Sequence, residues 1–158
     1  MDITFRSEDG VFNYRACAVI VHDDHILAMQ DGRSPYYYLP GGRVQLHETA
    51  EAAVLRELKE ELDIDAVITR ALWLNQGFFK EEVSGDAYHE ICLYYLVDVS
   101  ATDLLSRGAS FVCHDGGKEL HFEWLPFDTL KTTYFYPLFL KDKIFNLPDS
   151  LTILEEHE

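Results

Sequence analysis

Hydrophobic and polar positions follow different periods along the chain, and each period predicts an element. Asn13 to His22 carries the unbroken run Ala16-Cys17-Ala18-Val19-Ile20-Val21, which reads as a strand covered on both faces. Asp23-Asp24 supplies a turn, and His25 to Gln30 returns as the second strand of a hairpin. Ser34-Pro35 opens a loop, Tyr36-Tyr37-Tyr38-Leu39 is short and extended, and Pro40-Gly41-Gly42 interrupts it. Glu48 to Leu62 lacks Gly and Pro and repeats its apolar positions at helical spacing. Ile64 to Leu74 and Tyr88 to Val99 are β-rich, Ala101 to Gly117 reads as a long mobile connection, and Leu120 to Leu125 as another strand. Phe127 to Thr132 and Tyr136 to Phe145 suggest short helices, and residues 147–158 a flexible tail whose acidic end, Glu155 to Glu158, frays. Strands on both sides of one long helix, with further helix at the end, predict an α/β (α+β) fold: a mixed sheet covered by helices.

Composition narrows the class. The 158 residues are 47% hydrophobic and 26% charged, without repeat or linker, which predicts one domain over 1–158. Three scattered cysteines make neither a disulfide framework nor a zinc cluster. The polar start lacks the apolar stretch of a secretory signal, and the longest apolar run, Ile91 to Val97, is far short of a membrane span. The expectation is a cytoplasmic protein that is not inserted in a membrane. Thirteen basic residues stand against 28 acidic ones, a net charge of −15, and the basic ones never cluster. Binding of nucleic acid by charge is therefore excluded, and a small anionic substrate needs a cation between itself and the protein.

The acidic residues are concentrated. Between Glu48 and Asp65, seven acids and two bases leave −5. At about 100° per residue, Ala50, Val54, Leu58 and Leu62 form an apolar stripe with Leu55 at its edge. Glu57, Glu60 and Glu61 are spaced i, i+3, i+4 and share one side, with Glu61 inside the apolar arc. Like charges so placed repel, and a buried carboxylate without a partner is costly. A divalent cation such as Mg²⁺ or Mn²⁺ relieves both, because hard oxygen ligands on one rigid element suit it. The same spacing also suits a solvated acidic face in which Arg56 pairs with Glu60 or another carboxylate.

What separates these readings is the whole stretch: Gly42, five residues, Glu48, seven residues, Arg56-Glu57-Leu58, one residue, Glu60-Glu61, one residue, Asp63-Ile64. This resembles the Nudix box, the loop–helix–loop motif of the Nudix hydrolases. Eight of its nine defined positions are met; the departure is Asp63 where the box has Gly. That position follows the helix and commonly needs φ > 0, which Asp can adopt at a cost of about 1 kcal/mol. Leu39-Pro40-Gly41-Gly42 is similar to the approach typical of the family, and the domain core is taken as 13–130.

The resemblance implies an α/β/α sandwich and a metal-dependent enzyme that hydrolyses a pyrophosphate bond in a nucleoside diphosphate linked to another group. It implies Glu57, Glu60 and Glu61 as metal-binding carboxylates, with the Gly41 carbonyl as a further ligand and Mg²⁺ or Mn²⁺ as the ion. Arg56 orients a neighbouring glutamate, while Glu48 and Gly42 support the site. Glu57 is the first candidate for general base, with Glu90 and Glu123 as outside candidates. The partner is a small nucleotide-type substrate, and a homodimer fits the family. An alternative is a Nudix-like sensor domain that binds a nucleotide without turnover. Arg15 and Arg43 are candidate phosphate contacts and Tyr38 a candidate base contact, because a negative domain needs some cations near a polyphosphate. His22-Asp23-Asp24-His25 reads as a hairpin tip rather than a metal cluster.

Overall fold

The apolar run after Asn13 does not stay in one sheet. In the computed structural model, which describes residues 1–158, the chain forms β1 (Thr4–Ser7), β2 (Gly10–Val19), β3 (Val21–His22), β4 (His25–Gln30) and β5 (Gly41–Arg43) before helix α1 (Ala50–Leu62). After it come β6 (Val67–Lys80), β7 (Ala87–Asp98), β8 (Ser110–Asp115), β9 (Lys118–Pro126), the short helix α2 (Leu140–Lys143) and β10 (Thr152–His157). The larger sheet has the order β1-β2-β7-β6-β10, with β5 also paired to β2. It is mixed: β2–β7 and β6–β10 are parallel, and the other pairs antiparallel. The smaller sheet, β3-β4-β9-β8, is antiparallel throughout.

Strand β2 ends at Val19, and beyond Ile20 the chain enters the smaller sheet as β3. The Ile20 carbonyl accepts the Leu27 N–H at 2.9 Å and so begins the second sheet's ladder. Alternation explains why the run is apolar on every position. Ala16, Ala18 and Ile20 pack with Val54, Leu58 and Leu62 of α1. Cys17 and Val19 face the other way, onto Trp73, Leu130 and Phe135. The hairpin tip is as expected: Asp23 and Asp24 have φ of 48° and 58°, the pair of positive values that a two-residue hairpin turn requires.

Helix α1 starts two residues later than the apolar period suggests. Thr49 is its N-cap and accepts the Ala52 N–H at 3.1 Å. Asp63 closes it in the left-handed conformation (φ 52°, ψ 47°), its N–H bonded to the Lys59 carbonyl, so this Asp takes the conformation that glycine takes in the motif.

Elsewhere the structure corrects the sequence reading. β6 runs on to Lys80, well past Leu74. The expected mobile connection from Ala101 to Gly117 instead holds a 3₁₀ turn, whose Leu104 is fully buried, and strand β8. The expected helix from Tyr136 to Phe145 shrinks to α2, because Tyr37 pairs with Phe135 as a bridge and its carbonyl holds the Tyr136 N–H. The end of the chain, read as a fraying tail, is strand β10, in register with β6 from Thr152↔Trp73 to His157↔Phe78. β1 went unread because its four residues are short and mostly exposed. No helix is long and apolar enough to cross a membrane.

Candidate active site

Two glycines bring the backbone against both the sheet and the helix. A Cβ on Gly41 would lie 2.3 Å from the Ala16 carbonyl oxygen of β2, and the residue's φ of +149° also favours glycine. A Cβ on Gly42 would lie 2.2 Å from Oε1 of Glu57, so the Glu57 carboxylate rests directly over the Gly42 backbone. The Gly41 N–H donates to Glu61 Oε1 at 3.0 Å. Strand β5 is thus clamped between β2 and the acidic side of α1.

Glu61 is 7% exposed, as its place inside the apolar arc predicts. Burial, and then the charge of Glu57, push its pKa well above the ordinary carboxylate value against the opposing effect of the Gly41 N–H. Glu57 is raised too, by burial first and by Glu60, although Arg56 works the other way. Arg56 does more here than orient one neighbouring glutamate. It grips Glu48 with two bonds, Nε to Oε2 at 2.8 Å and Nη2 to Oε1 at 3.0 Å. Nη1 donates to Glu57 Oε1 at 3.0 Å, and Nη2 also bonds the Arg43 carbonyl at 3.1 Å. Glu60 is more exposed and lies at the limit of its reach, 3.5 Å. Glu48 in turn accepts the Gln45 N–H, so the brace joins β5, the following loop and the helix.

The helix end opens beside a cavity of about 500 Å³ over the face of the larger sheet. Gly42, Arg43 and Arg15 line one end. Burial works against the Arg15 charge, but neighbouring acidic groups on Cys17 and Glu90 outweigh it and hold its pKa well above the ordinary value. Arg43 is engaged by Asn13 Oδ1 at 3.1 Å and, more loosely, by Asp2 at 3.9 Å. Tyr38 lines the wall with its hydroxyl donating to Asp31 at 3.1 Å, and Tyr36 and Tyr136 stand at the rim. Across the floor, β6 contributes Asn75 and Gly77, β10 Glu156, and Glu158 follows just beyond it.

The family model described as the NUDIX domain matches residues 12–142. The chain belongs to the NUDIX family. Its NUDIX domain is 30% identical over 129 residues to a Caenorhabditis elegans protein, nudix hydrolase 1 by name, covering 68% of this chain and 35% of the relative. It is 30% identical over 89 residues to an ADP-ribose pyrophosphatase of Methanocaldococcus jannaschii, covering 54% of this chain and 50% of that one. The chain thus spans between a third and a half of the length of these curated relatives. Among solved structures, the NUDIX fold is shared with a mutator MutT protein from Bacillus halodurans, at TM-score 0.60 and 16% identity over 92% of this chain and 89% of that one. It is also shared with an ADP-ribose pyrophosphatase from Streptococcus suis, at TM-score 0.57 and 17% identity over 90% and 98%.

Within this NUDIX domain the residues singled out in the sequence fall into three groups. Glu48, Arg56, Glu57, Glu61, Gly41 and Gly42 form one bonded unit, with Glu60 at its margin. Arg15, Arg43, Tyr38 and Glu90 line the adjoining cavity. Glu123 lies elsewhere: it accepts the Tyr37 hydroxyl at 2.5 Å and lines a separate hollow on the smaller sheet, so it is withdrawn as a base for this site. No three His, Cys, Asp or Glu side chains are gathered closely enough to cage an ion by themselves. The donor set nevertheless suits a hard divalent ion bound openly, because two desolvated carboxylates with raised pKa values meet at one glycine-lined edge beside the cavity. Asn75, Glu156 and Tyr136 were missed, since strand pairing brings β10 beside a segment some 80 residues upstream and no local period signals it.

Proposed function

We propose that this chain is a divalent-metal-dependent hydrolase that cleaves the pyrophosphate bond of a nucleoside diphosphate linked to another group, of the nucleoside triphosphate or ADP-ribose class. One observation carries the reading: Glu57 and Glu61, both desolvated and repelling each other, stand beside a cavity lined by Arg15, whose charge both feel, and by Arg43. Glu57, Glu60 and Glu61 would hold Mg²⁺ or Mn²⁺, with the Gly41 carbonyl as a further oxygen. The ion, when bound, neutralises phosphate charge and lowers the pKa of a water molecule.

The protein's own groups do the rest. Arg56 occupies Glu57 Oε1 and leaves Oε2 to accept the proton of the attacking water. Arg15 and Arg43 neutralise and orient the phosphates, and Tyr38 borders the group beyond them. The names of the similar proteins, an ADP-ribose pyrophosphatase among them, support this class without choosing within it. The three free cysteines accord with a reducing cytoplasm.

The test is a screen of nucleoside triphosphates, ADP-ribose, dinucleoside polyphosphates and nucleotide sugars with Mg²⁺, with products resolved by chromatography. Cleavage between the α and β phosphates of at least one compound, abolished by a chelator and restored by Mg²⁺, is expected. Tight binding with no turnover of any compound would instead establish the sensor reading, and turnover that ignores a chelator would end the metal assignment.

A further inference from the structure

The cavity floor is a grid of four strands, and one rung of it is chemically one-sided. Asn13 of β2 pairs with Glu90 of β7, Glu90 with Gly77 of β6, and Gly77 with Glu156 of β10. Gly77 sits within a 14-residue strand without a positive φ. A Cβ there would meet nothing nearer than 3.6 Å, so neither backbone nor packing demands glycine. Glycine inside a strand weakens it and often marks close approach by a ligand. Here it leaves the floor open between two glutamates.

The groups around that opening are acceptors short of donors. Asn75 is 5% exposed, lines the cavity, and its Oδ1 has no hydrogen-bond partner at all. Its Nδ2 reaches Glu156 Oε1 only at 3.5 Å, while Glu156 Oε2 accepts the Phe139 N–H at 2.9 Å. Glu90 Oε2 is met by Asn13 Nδ2 at 3.4 Å. Burial raises the Glu156 pKa in spite of hydrogen bonds with the Phe139 N–H, Glu158 and Asn75. A single ion does not answer this arrangement: Glu90 and Glu156 stem from strands two spacings apart, about 9–10 Å. A flat group carrying several N–H donors does. The rims of Tyr36 and Tyr136, 5.1 Å apart and tied by their hydroxyls to Glu81 and Glu82, offer faces on which such a group can stack.

We infer that the floor over Gly77, between Glu90 and Glu156 with Asn75 Oδ1, is a base-reading subsite that selects nucleobases bearing an exocyclic amino group over those bearing only oxo groups. This rests on the proposed hydrolase reading for its orientation, with phosphates at the Arg15 and Gly42 end and the base carried across toward β10. The amino hydrogens meet the unpaired Asn75 Oδ1 and carboxylate oxygens on Glu90 and Glu156 held only by long side-chain contacts, while an oxo group in the same place sets acceptor against acceptor.

Calorimetric binding of nucleoside monophosphates tests this, in pairs that differ at the amino group: GMP against IMP, and CMP against UMP. The amino-bearing member is expected to bind about tenfold tighter in at least one pair, the value of a hydrogen bond to a charged or buried acceptor. Glu156→Gln, and separately Gly77→Val, should bring that ratio to within about twofold. Thermal melting confirms that each variant folds, and Glu156→Gln suffices if Gly77→Val does not. Equal affinities in both pairs, no binding of any of the four, or a preference that survives Glu156→Gln would overturn the assignment. Monophosphates are not cleaved, so the two readings fail separately. A preference in a protein that hydrolyses nothing leaves the subsite standing, and hydrolysis without preference removes it alone.

Discussion

Similar chemistry stands in different frames beside one end of the cavity and within the other. At the helix end, Glu57 and Glu61 are desolvated but braced, one by Arg56 and the other by the Gly41 N–H. At the β10 end, Glu156 and Glu158 are also raised in pKa, by burial before anything else, yet no cationic side chain bonds either. Glu156 relies on a backbone N–H, a long amide contact and its neighbour Glu158. The first frame fixes carboxylates where a fixed charge is wanted; the second leaves acceptors unsatisfied until something brings donors. Pre-organisation by a guanidinium suits chemistry, and a deficit of donors suits recognition.

The largest effects should fall on the helix end alone. Glu60→Gln and Glu61→Gln are each expected to lower Mg²⁺-dependent turnover by at least ~10²-fold, while Glu156→Gln lowers turnover of a saturating substrate by less than about tenfold. Equal losses at both ends, measured as kcat, would erase the distinction. Next, Gly42→Ala drives a methyl group into the Glu57 carboxylate, whose flexible end can move aside. Activity should drop about 10- to 100-fold, with the melting temperature changed by no more than about 3 °C. A large fall in melting temperature would show that the glycine serves the fold rather than the site.

Arg56→Ala should cost about 2–3 kcal/mol in denaturant unfolding, because it strands Glu48 and Glu57 together and unpairs the Arg43 carbonyl. Arg56→Lys should not restore the lost stability, since an ammonium cannot make the two-bond grip on Glu48. The pH response is smaller. Carboxyls whose folded pKa is raised contribute stability that is full below their unfolded value and lost as pH rises through the folded one. For Glu158, desolvation and the charge of Glu156 push the pKa up to about 7, so the loss falls between roughly pH 4.5 and 7.5. The melting temperature without divalent ions should therefore drop by about 2–4 °C from pH 5 to pH 8, and Glu158→Gln should flatten part of the drop. Mg²⁺ should offset the share due to the helix end and leave the share due to β10; an ion that offsets both would contradict the contrast. Smallest of all, Asp63→Gly should stabilise by about 0.5–1 kcal/mol, as it relieves a left-handed Asp and gives up only an exposed pair with Lys59.

The same contrast explains what could be read from the sequence. The helix end was legible because its residues are close in the chain: helical spacing put Glu61 in the apolar arc, and Gly42 to Ile64 carried the motif. The late start of α1 and the reach of Arg56 were not legible, since Thr49 capping and a two-bond grip on Glu48 depend on the loop's path. The β10 end was hidden. Glu155 to Glu158 looks like a solvated acidic end until parallel pairing with β6 turns every second residue toward the cavity. The break of the apolar run at Ile20 was hidden for a related reason, because strands of both sheets are covered on both faces and read alike.

The crossing at Ile20 also decides where the chain tolerates a change of length. Successive residues of β2 serve opposite cores up to this joint, and the first hydrogen bond of the smaller sheet leaves from the Ile20 carbonyl itself. A single-residue insertion or deletion there would swap which core each following side chain enters, and Leu27, Met29 and their neighbours would present the wrong surface. At the Asp23–Asp24 tip a few residues later, an added residue only lengthens an exposed bend. Within one hairpin, the tip therefore bears a change of length at the cost of local contacts such as the Phe127 N–H to Asp24 carbonyl bond, while the root must keep its count.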